Sequence, residues 1–376
     1  MKSPNYSRRA FLHHTMVGSL AMGAAGNGNL WADEKVPTDD EYLRGLADKA
    51  TLAMQFQGTT KEECKAWQQA FGSKLDSLLG PHNPPKEFTV EVEAVVERED
   101  HKRHEWIVRA EGMPPLPVYL LEPKGAKAGA TPGVLALHGH GSFGYDPIVG
   151  KTETAGVEKA IESANYDYGL QLVRRGYAVA VPCFMPFGRR LGNKGKSTSD
   201  PCGLAFIRLQ AFGKVLMGEN LRDARLALEC LLRLPCVDAQ RLGCVGLSYG
   251  GRMTMLTTAR EPRIKVAVIS GALNVMQERL RGRYSCGAQI IPGLLNIGDV
   301  PEIASLIAPR PCLWEVGNRD GLIDPDWASA ALTRIGRAYA ALSSSDQLRV
   351  DRFDGGHRWH GDVAFPLLDQ VLKPTG

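Results

Sequence analysis

Ser248 stands between glycines in GCVGLSYGG, residues 243–251, a Gly-x-Ser-x-Gly pattern. A serine hydroxyl is a poor nucleophile until a base takes its proton. A strand-to-helix turn sharp enough to expose it needs small residues where the two backbones converge. Gly246 and Gly250 flank the serine at that spacing, and Gly251 follows. With 41 glycines in 376 residues, composition alone nearly produces the pattern, so it is a hypothesis that needs structural context. The same serine also suits a helix N-cap. Whether an acid and a base follow decides between the two readings.

Both follow, in the order Ser, Asp, His. The apolar run PCLWEVG ends in Asn318, Arg319 and Asp320, which places a carboxylate just past a buried strand. Asp324 and Asp326 compete, but Asp324 precedes Pro325 at a helix start, where an acid usually serves as a cap. Asp320 is therefore the expected acid. In FDGGHRWHG, Gly355 and Gly356 deliver His357 on a loop after the last strand. His357 is the expected base, and His360, where the closing helix begins, is its rival. In this arrangement His357 takes the Ser248 proton while Asp320 holds the imidazole tautomer. Acyl transfer also needs N–H donors aimed at the developing oxyanion. The backbone N–H of Tyr249 is one candidate, and His140 or Gly141 of the turn LALHGHGSFG supplies the other. His138 is expected to anchor that turn.

Strands and helices must hold these residues in place. Residues 39–79 carry helical spacing and stop at Gly80-Pro81. From Phe88 to Glu97 apolar and polar residues alternate, with Val90, Val92, Ala94 and Val96 on one side, and two further strands near 105–110 and 118–122 complete antiparallel hairpins. After Pro132 come short, fully apolar runs: GVLALHG, YAVAVPC, LGCVGLS, IKVAVIS and PCLWEVG. Such runs suit strands buried on both faces of a parallel sheet. ENLRDARLALECLLRLP reads as an amphipathic crossover helix with Arg222, Arg225, Glu229 and Arg233 on its polar side. A helix over about 325–342, a strand near LRVDRFD and a closing helix after His360 finish the chain. The fold class is α/β: a mostly parallel central sheet with antiparallel N-terminal strands, helices on both faces and a short N-terminal helical extension.

Two connections, 182–213 and 271–309, are longer than a crossover requires, and both follow strands whose carboxyl ends face the ligand crevice. Substrate choice is expected there, with Phe184, Arg283 and Tyr284 as contacts and Arg279, Arg281 and Arg283 suited to a carboxylated sugar.

HGHG, GLSYGG, GNRDGLIDP and DGGHRWHG together resemble the α/β-hydrolase superfamily over about residues 85–374. RRGYAVAVP and IPGLLNIGDVPEIASLIAPRP are similar to the dienelactone-hydrolase-like and acetyl-xylan-esterase-like bacterial branch. The resemblance implies an α/β-hydrolase fold and a serine carboxylesterase acting through an acyl-enzyme, with deacetylation of carbohydrate esters among its activities. Dienelactone hydrolases proper carry cysteine at the elbow, so lactone specificity does not carry over to Ser248. The acetyl-xylan and cephalosporin deacetylases usually show a different oxyanion-loop motif from this HGHG. A single-domain serine peptidase uses the same chemistry, and a non-catalytic binding protein on the same scaffold is the third reading.

The N-terminal segment fits export. Ser7-Arg8-Arg9-Ala10-Phe11-Leu12 precedes a modest apolar run, resembling a twin-arginine signal over residues 1–32 with a periplasmic or secreted destination. The run is too short for a stable membrane anchor. The expected domains are this signal, a helical extension over 33–84 and a catalytic domain over 85–376. Without Lys2, Arg8 and Arg9 the 45 basic residues fall to 42 against 41 acidic ones, which leaves no electrostatic footprint for nucleic acid. The expected partner is a small-molecule or carbohydrate ester. No cofactor motif appears, and His138 and His140 have no third ligand at metal-binding spacing. The eight cysteines form no Cys-x-x-Cys and read as mostly buried thiols, with one bridge among Cys183, Cys202 and Cys286 left open. Nothing in the sequence fixes an oligomeric state.

Overall fold

The computed structural model describes residues 38–192, 200–282 and 285–373, so the expected signal segment, Arg283 and Tyr284 lie outside the described residues. The chain divides into two compact units, 1–42 and 43–376. Of the first, the described part is the start of a helix, α1 (Asp39–Asp48), where Thr38 Oγ1 accepts the Glu41 N–H at 3.2 Å.

In the second unit the apolar runs form one nine-stranded sheet. Its strands are β1 (Thr89–Glu97), β2 (His101–Arg109), β3 (Leu116–Pro123), β4 (Thr131–Leu137), β5 (Ala178–Pro182), β6 (Val237–Leu247), β7 (Ile264–Ser270), β8 (Cys312–Gly317) and β9 (Leu348–Phe353). The spatial order is β1-β2-β3-β5-β4-β6-β7-β8-β9. β1, β2, β3 and β5 pair antiparallel, whereas β5, β4, β6, β7, β8 and β9 run parallel. This is the α/β-hydrolase fold. Every residue of β4, β5 and β8 is buried, as runs without a polar side require. β1 departs from strict alternation: a register shift between Val92 and Ala94 turns Val92 and Val95 outward.

The helices are α2 (Lys61–Leu79), α3 (Val157–Ala164), α4 (Tyr168–Arg174), α5 (Pro201–Gln210), α6 (Leu216–Leu232), α7 (Tyr249–Arg260), α8 (Met276–Gly282), α9 (Val300–Ser305), α10 (Pro325–Ala341) and α11 (Ala364–Leu372). They cover both faces of the sheet. Leu135 and Leu137 of β4 enter a core completed by α2, α6, α7, α9 and α10, while Val134 and Ala136 enter the opposite core with α4 and α11. Residues 43–84 share the first of these cores, through Cys64, Phe71, Leu75 and Leu79. No helix among the described residues is long and apolar enough to cross a membrane.

α6 differs from the expected amphipathic helix. Its Leu221, Leu228 and Leu231 are fully buried, each contributing about 1.5–3 kcal/mol, but Arg222 and Asp223 are buried as well. The end of α2 and the segment after it account for much of this cover. A Cβ on Gly218 would lie 2.1 Å from Leu79 O, and Arg225 donates to Asn83 Oδ1 at 2.8 Å. Asp223 pairs with Arg190, which also donates to Cys183 O at 3.0 Å. This buried ion pair thus bolts the loop after β5 to α6.

Candidate active site

The turn between β6 and α7 is built as a close crossing of backbones. A Cβ on Gly250 would sit 1.8 Å from Leu137 O, one on Gly246 would sit 2.5 Å from Gly250 O, and one on Gly251 would sit 2.5 Å from Ser270 O. No side chain fits at any of the three positions. Ser248, between them, is held at φ 64° and ψ −120°, where a residue with a Cβ is strained. Its N–H donates to Ser270 O at 2.9 Å and its carbonyl accepts from Arg252 N–H at 3.0 Å. Its hydroxyl makes no capping bond to α7, so the N-cap reading fails at the atom that would do the capping.

Asp320 and His357 meet. His357 Nδ1–H donates to Asp320 Oδ2 at 2.7 Å, and Asp320 is 5% exposed. The other carboxylate oxygen, Oδ1, accepts the Leu322 N–H at 2.9 Å, which fixes the acid's orientation. The loops carrying the pair are stitched together: Asn318 N–H donates to Phe353 O, and Arg319 N–H to Gly355 O at 2.8 Å. His357 lies against Gly271, where a Cβ would come within 2.8 Å of its Cε1. Gly271 directly follows Ser270, the partner of the Ser248 N–H, so base and serine flank one corner of β7. His357 Nε2 is buried and has no hydrogen-bond partner. His360 is engaged elsewhere, bonded to Asp351 at 2.7 Å and stacked on Phe353. Asp324 caps α10, accepting from Asp326 N–H at 3.0 Å.

The HGHG turn approaches the serine from the β4 side. A Cβ on Gly139 would be 3.1 Å from Ser248 Cβ. The Gly139 N–H is consumed by the Tyr166 hydroxyl at 2.6 Å, which leaves the N–H groups of His140 and Gly141 further along the turn. Tyr249 opens α7, so its N–H has no carbonyl one turn back within the helix. His138 is fully buried and pins the turn: its Nδ1–H donates to Gly139 O at 2.8 Å and its Nε2 accepts the Phe184 N–H at 2.9 Å. Burial holds its pKa down at about 4, so the ring stays neutral.

Three substrate contacts were expected, and Phe184 is placed differently. Its ring is fully buried against His138 and Tyr249, which leaves no surface for a ligand; the cis bond Met185–Pro186 follows it in the chain. Arg281, one of the arginines suited to a carboxylated sugar, forms ion pairs with Glu278 and Asp48.

Two residues near the site were not anticipated. Tyr166 lies between helices and nothing in its surrounding sequence marks it. Glu315 is 1% exposed at the end of β8 and accepts the N–H groups of His360 (3.2 Å) and Gly361 (2.8 Å), tying down the loop that carries His357. Burial raises its pKa to about 7. A lone acid inside PCLWEVG was the available signal.

Comparison with family profiles finds no match. A protein of Bacillus subtilis (strain 168) named "Putative hydrolase YtaP" is 30% identical over 295 residues, spanning 76% of this chain and 92% of that protein. The chain belongs to the YtaP family of hydrolases. Solved structures share the fold of this hydrolase at low sequence identity. One, described as a "putative acetyl xylan esterase" from Bacteroides fragilis, superposes with a TM-score of 0.75 at 15% identity, covering 91% of this hydrolase and 97% of its own chain. A glucuronoyl esterase from Solibacter usitatus superposes with a TM-score of 0.61 at 16% identity, covering 86% and 97%.

Proposed function

We propose that this YtaP-family hydrolase is a serine carboxylesterase in which Ser248 is the nucleophile, His357 the general base and acid, and Asp320 the orienting carboxylate. The observation that carries the reading is the strained, uncapped Ser248 at a crossing where three glycines admit no side chain, beside a bonded His357–Asp320 pair. Ser248 Oγ attacks the ester carbonyl carbon as its proton passes to His357 Nε2. The tetrahedral oxyanion is held by the N–H of Tyr249 with that of His140 or Gly141. Collapse expels the alcohol, which takes the proton from His357, and leaves the acyl group on Ser248. Water, deprotonated by His357, then attacks the acyl-enzyme, and the acid departs as the proton returns to Ser248.

The substrate class in this reading is a carbohydrate ester, by analogy with the acetyl xylan and glucuronoyl esterases that share the fold. Export is part of the same reading and rests on Arg8, Arg9 and the apolar run after them. Replacing Arg8 and Arg9 with lysine should retain the precursor in the cytoplasm. The enzymatic test is labelling by a fluorophosphonate probe, with turnover of short-chain p-nitrophenyl esters, acetylated xylan and peptide amides. The unmodified protein labels and cleaves esters, and Ser248→Ala does neither. An unlabelled parent protein sinks the proposal, and preferential amide cleavage turns it into a peptidase.

A further inference from the structure

The two long connections and the HGHG turn meet at a second cluster of reactive side chains. Donor atoms of His140, Cys202 and Cys286 all lie within 4.8 Å of one another. We propose that these three residues form a binding site for a thiophilic divalent cation of the Zn²⁺ type. The proposal is independent of the esterase reading.

The donor set suits such an ion. Two thiolates and a neutral imidazole give the soft S₂N environment preferred by Zn²⁺, with the fourth tetrahedral position left to water. Zn–S bonds of about 2.3 Å and Zn–N bonds of about 2.0–2.1 Å require donors about 3.5–3.8 Å apart. Closing from 4.8 Å or less therefore takes side-chain movements of about 1 Å. Binding releases one proton from each thiol to solvent, and the two thiolate charges cancel that of the cation. A neutral complex avoids the desolvation cost of a net charge, which matters because Cys202 is buried.

The surroundings hold the donors in place. Ala288 N–H donates to Cys286 Sγ at 3.4 Å, an outer hydrogen bond that favours the thiolate and orients it. The exposed His140 ring rests on Phe187 and Tyr249, with centroids at 5.3 and 5.1 Å. Behind the sulfurs the two connections are nearly in backbone contact, since a Cβ on Gly287 would lie 3.4 Å from Gly203 Cα. A Cys202–Cys286 disulfide is the competing chemistry, but it needs an oxidant and leaves His140 without a part. The ligands come from three separate segments, the HGHG turn, the first turn of α5 and the turn after α8, which is why spacing along the chain did not reveal them.

The test uses the full chain, reduced and stripped of metal with a chelator, then titrated with Co²⁺ and back-titrated with Zn²⁺. One equivalent of Co²⁺ produces thiolate-to-metal charge-transfer absorption and the intense d–d bands of a four-coordinate site, and Zn²⁺ abolishes both. Cys202→Ser and Cys286→Ser each weaken Zn²⁺ binding by at least the roughly 100-fold that losing an outer hydrogen-bond partner alone can cause. His140→Ala weakens it by at least about tenfold. Circular dichroism of the metal-free variants verifies folding; should Cys202→Ser fail to fold, Cys286→Ser, on a partly exposed turn, decides. Absence of charge-transfer bands, bands that survive in the cysteine variants, or a Cys202–Cys286 disulfide that persists after reduction overturns the proposal.

Discussion

Replacing Ser248 by glycine should stabilise the protein while abolishing its activity. At φ 64° and ψ −120° a Cβ carries strain of about 1–3 kcal/mol, and the hydroxyl returns no capping bond to offset it. Glycine relieves that strain but loses about 0.5–1 kcal/mol of extra backbone entropy on folding. The net gain is centred near 1 kcal/mol, with bounds of about 0 and 2.5 kcal/mol. Alanine keeps the Cβ and therefore the strain, so Ser248→Ala is the control that removes only the nucleophile. In a unit of more than 300 residues about 1 kcal/mol corresponds to only about 1–2 °C in melting temperature. Calorimetry of the three proteins, with fluorophosphonate labelling of each, gives both readouts. Ser248→Gly should melt highest, and neither variant should label. If Ser248→Gly melts at or below Ser248→Ala, the strain assigned to the elbow is absent and the reasoning fails.

Asp320→Asn should lower kcat for a p-nitrophenyl ester by about 10⁴-fold with KM nearly unchanged, because the amide cannot hold His357 in the required tautomer; a loss under about tenfold would point to a different acid. Glu315 should make stability depend on pH. Its pKa rises from 4.5 to about 7 in the fold, so its contribution is complete below about pH 4.5 and lost as pH rises through about 7. The span is on the order of 3 kcal/mol. Denaturant titrations across that range should show a slope that Glu315→Gln removes, and equal slopes in both proteins would exclude the assignment. Arg190→Ala should destabilise by about 3–5 kcal/mol, since it leaves the buried Asp223 carboxyl without its partner, whereas replacing the pair together by methionine and leucine should cost far less. Urea unfolding of the two variants separates these outcomes, and equal losses would contradict the account of an orphaned buried carboxyl.

The sheet was legible because its inner strands are buried on both faces and must be apolar throughout; GVLALHG and PCLWEVG admit little else. The bonded Asp320–His357 pair was legible for a related reason: each residue follows a strand, and parallel strands end at the same edge of the sheet. What pattern could not show is cover. Arg222 sits on what periodicity calls a solvent face, yet it is buried where the end of α2 packs against α6. Phe184 follows a strand end, where ligand contacts usually lie, yet the backbone after it carries the ring inward under His138. Tyr166 and the convergence of His140 on Cys202 and Cys286 depend on separate segments meeting in space, which neither hydropathy nor spacing along the chain encodes.

The outermost strand bears on how the molecule behaves in a concentrated solution. β1 ends the sheet and offers one row of unpaired backbone groups, with Val92 and Val95 about half exposed on it. Such a strand invites a second copy to add on and extend the sheet. Here Glu91, Glu93 and Glu97 line that strand, and the irregularity at Val92–Ala94 breaks its regular spacing. Those glutamates are paired with Arg109, Arg189 and Lys102, so two copies brought edge to edge would have to dislodge ion pairs and would meet a mismatched ladder. What keeps this edge from templating a second copy is therefore the broken spacing of its ladder and the ion pairs along it, features of the folded state that are lost when the fold gives way.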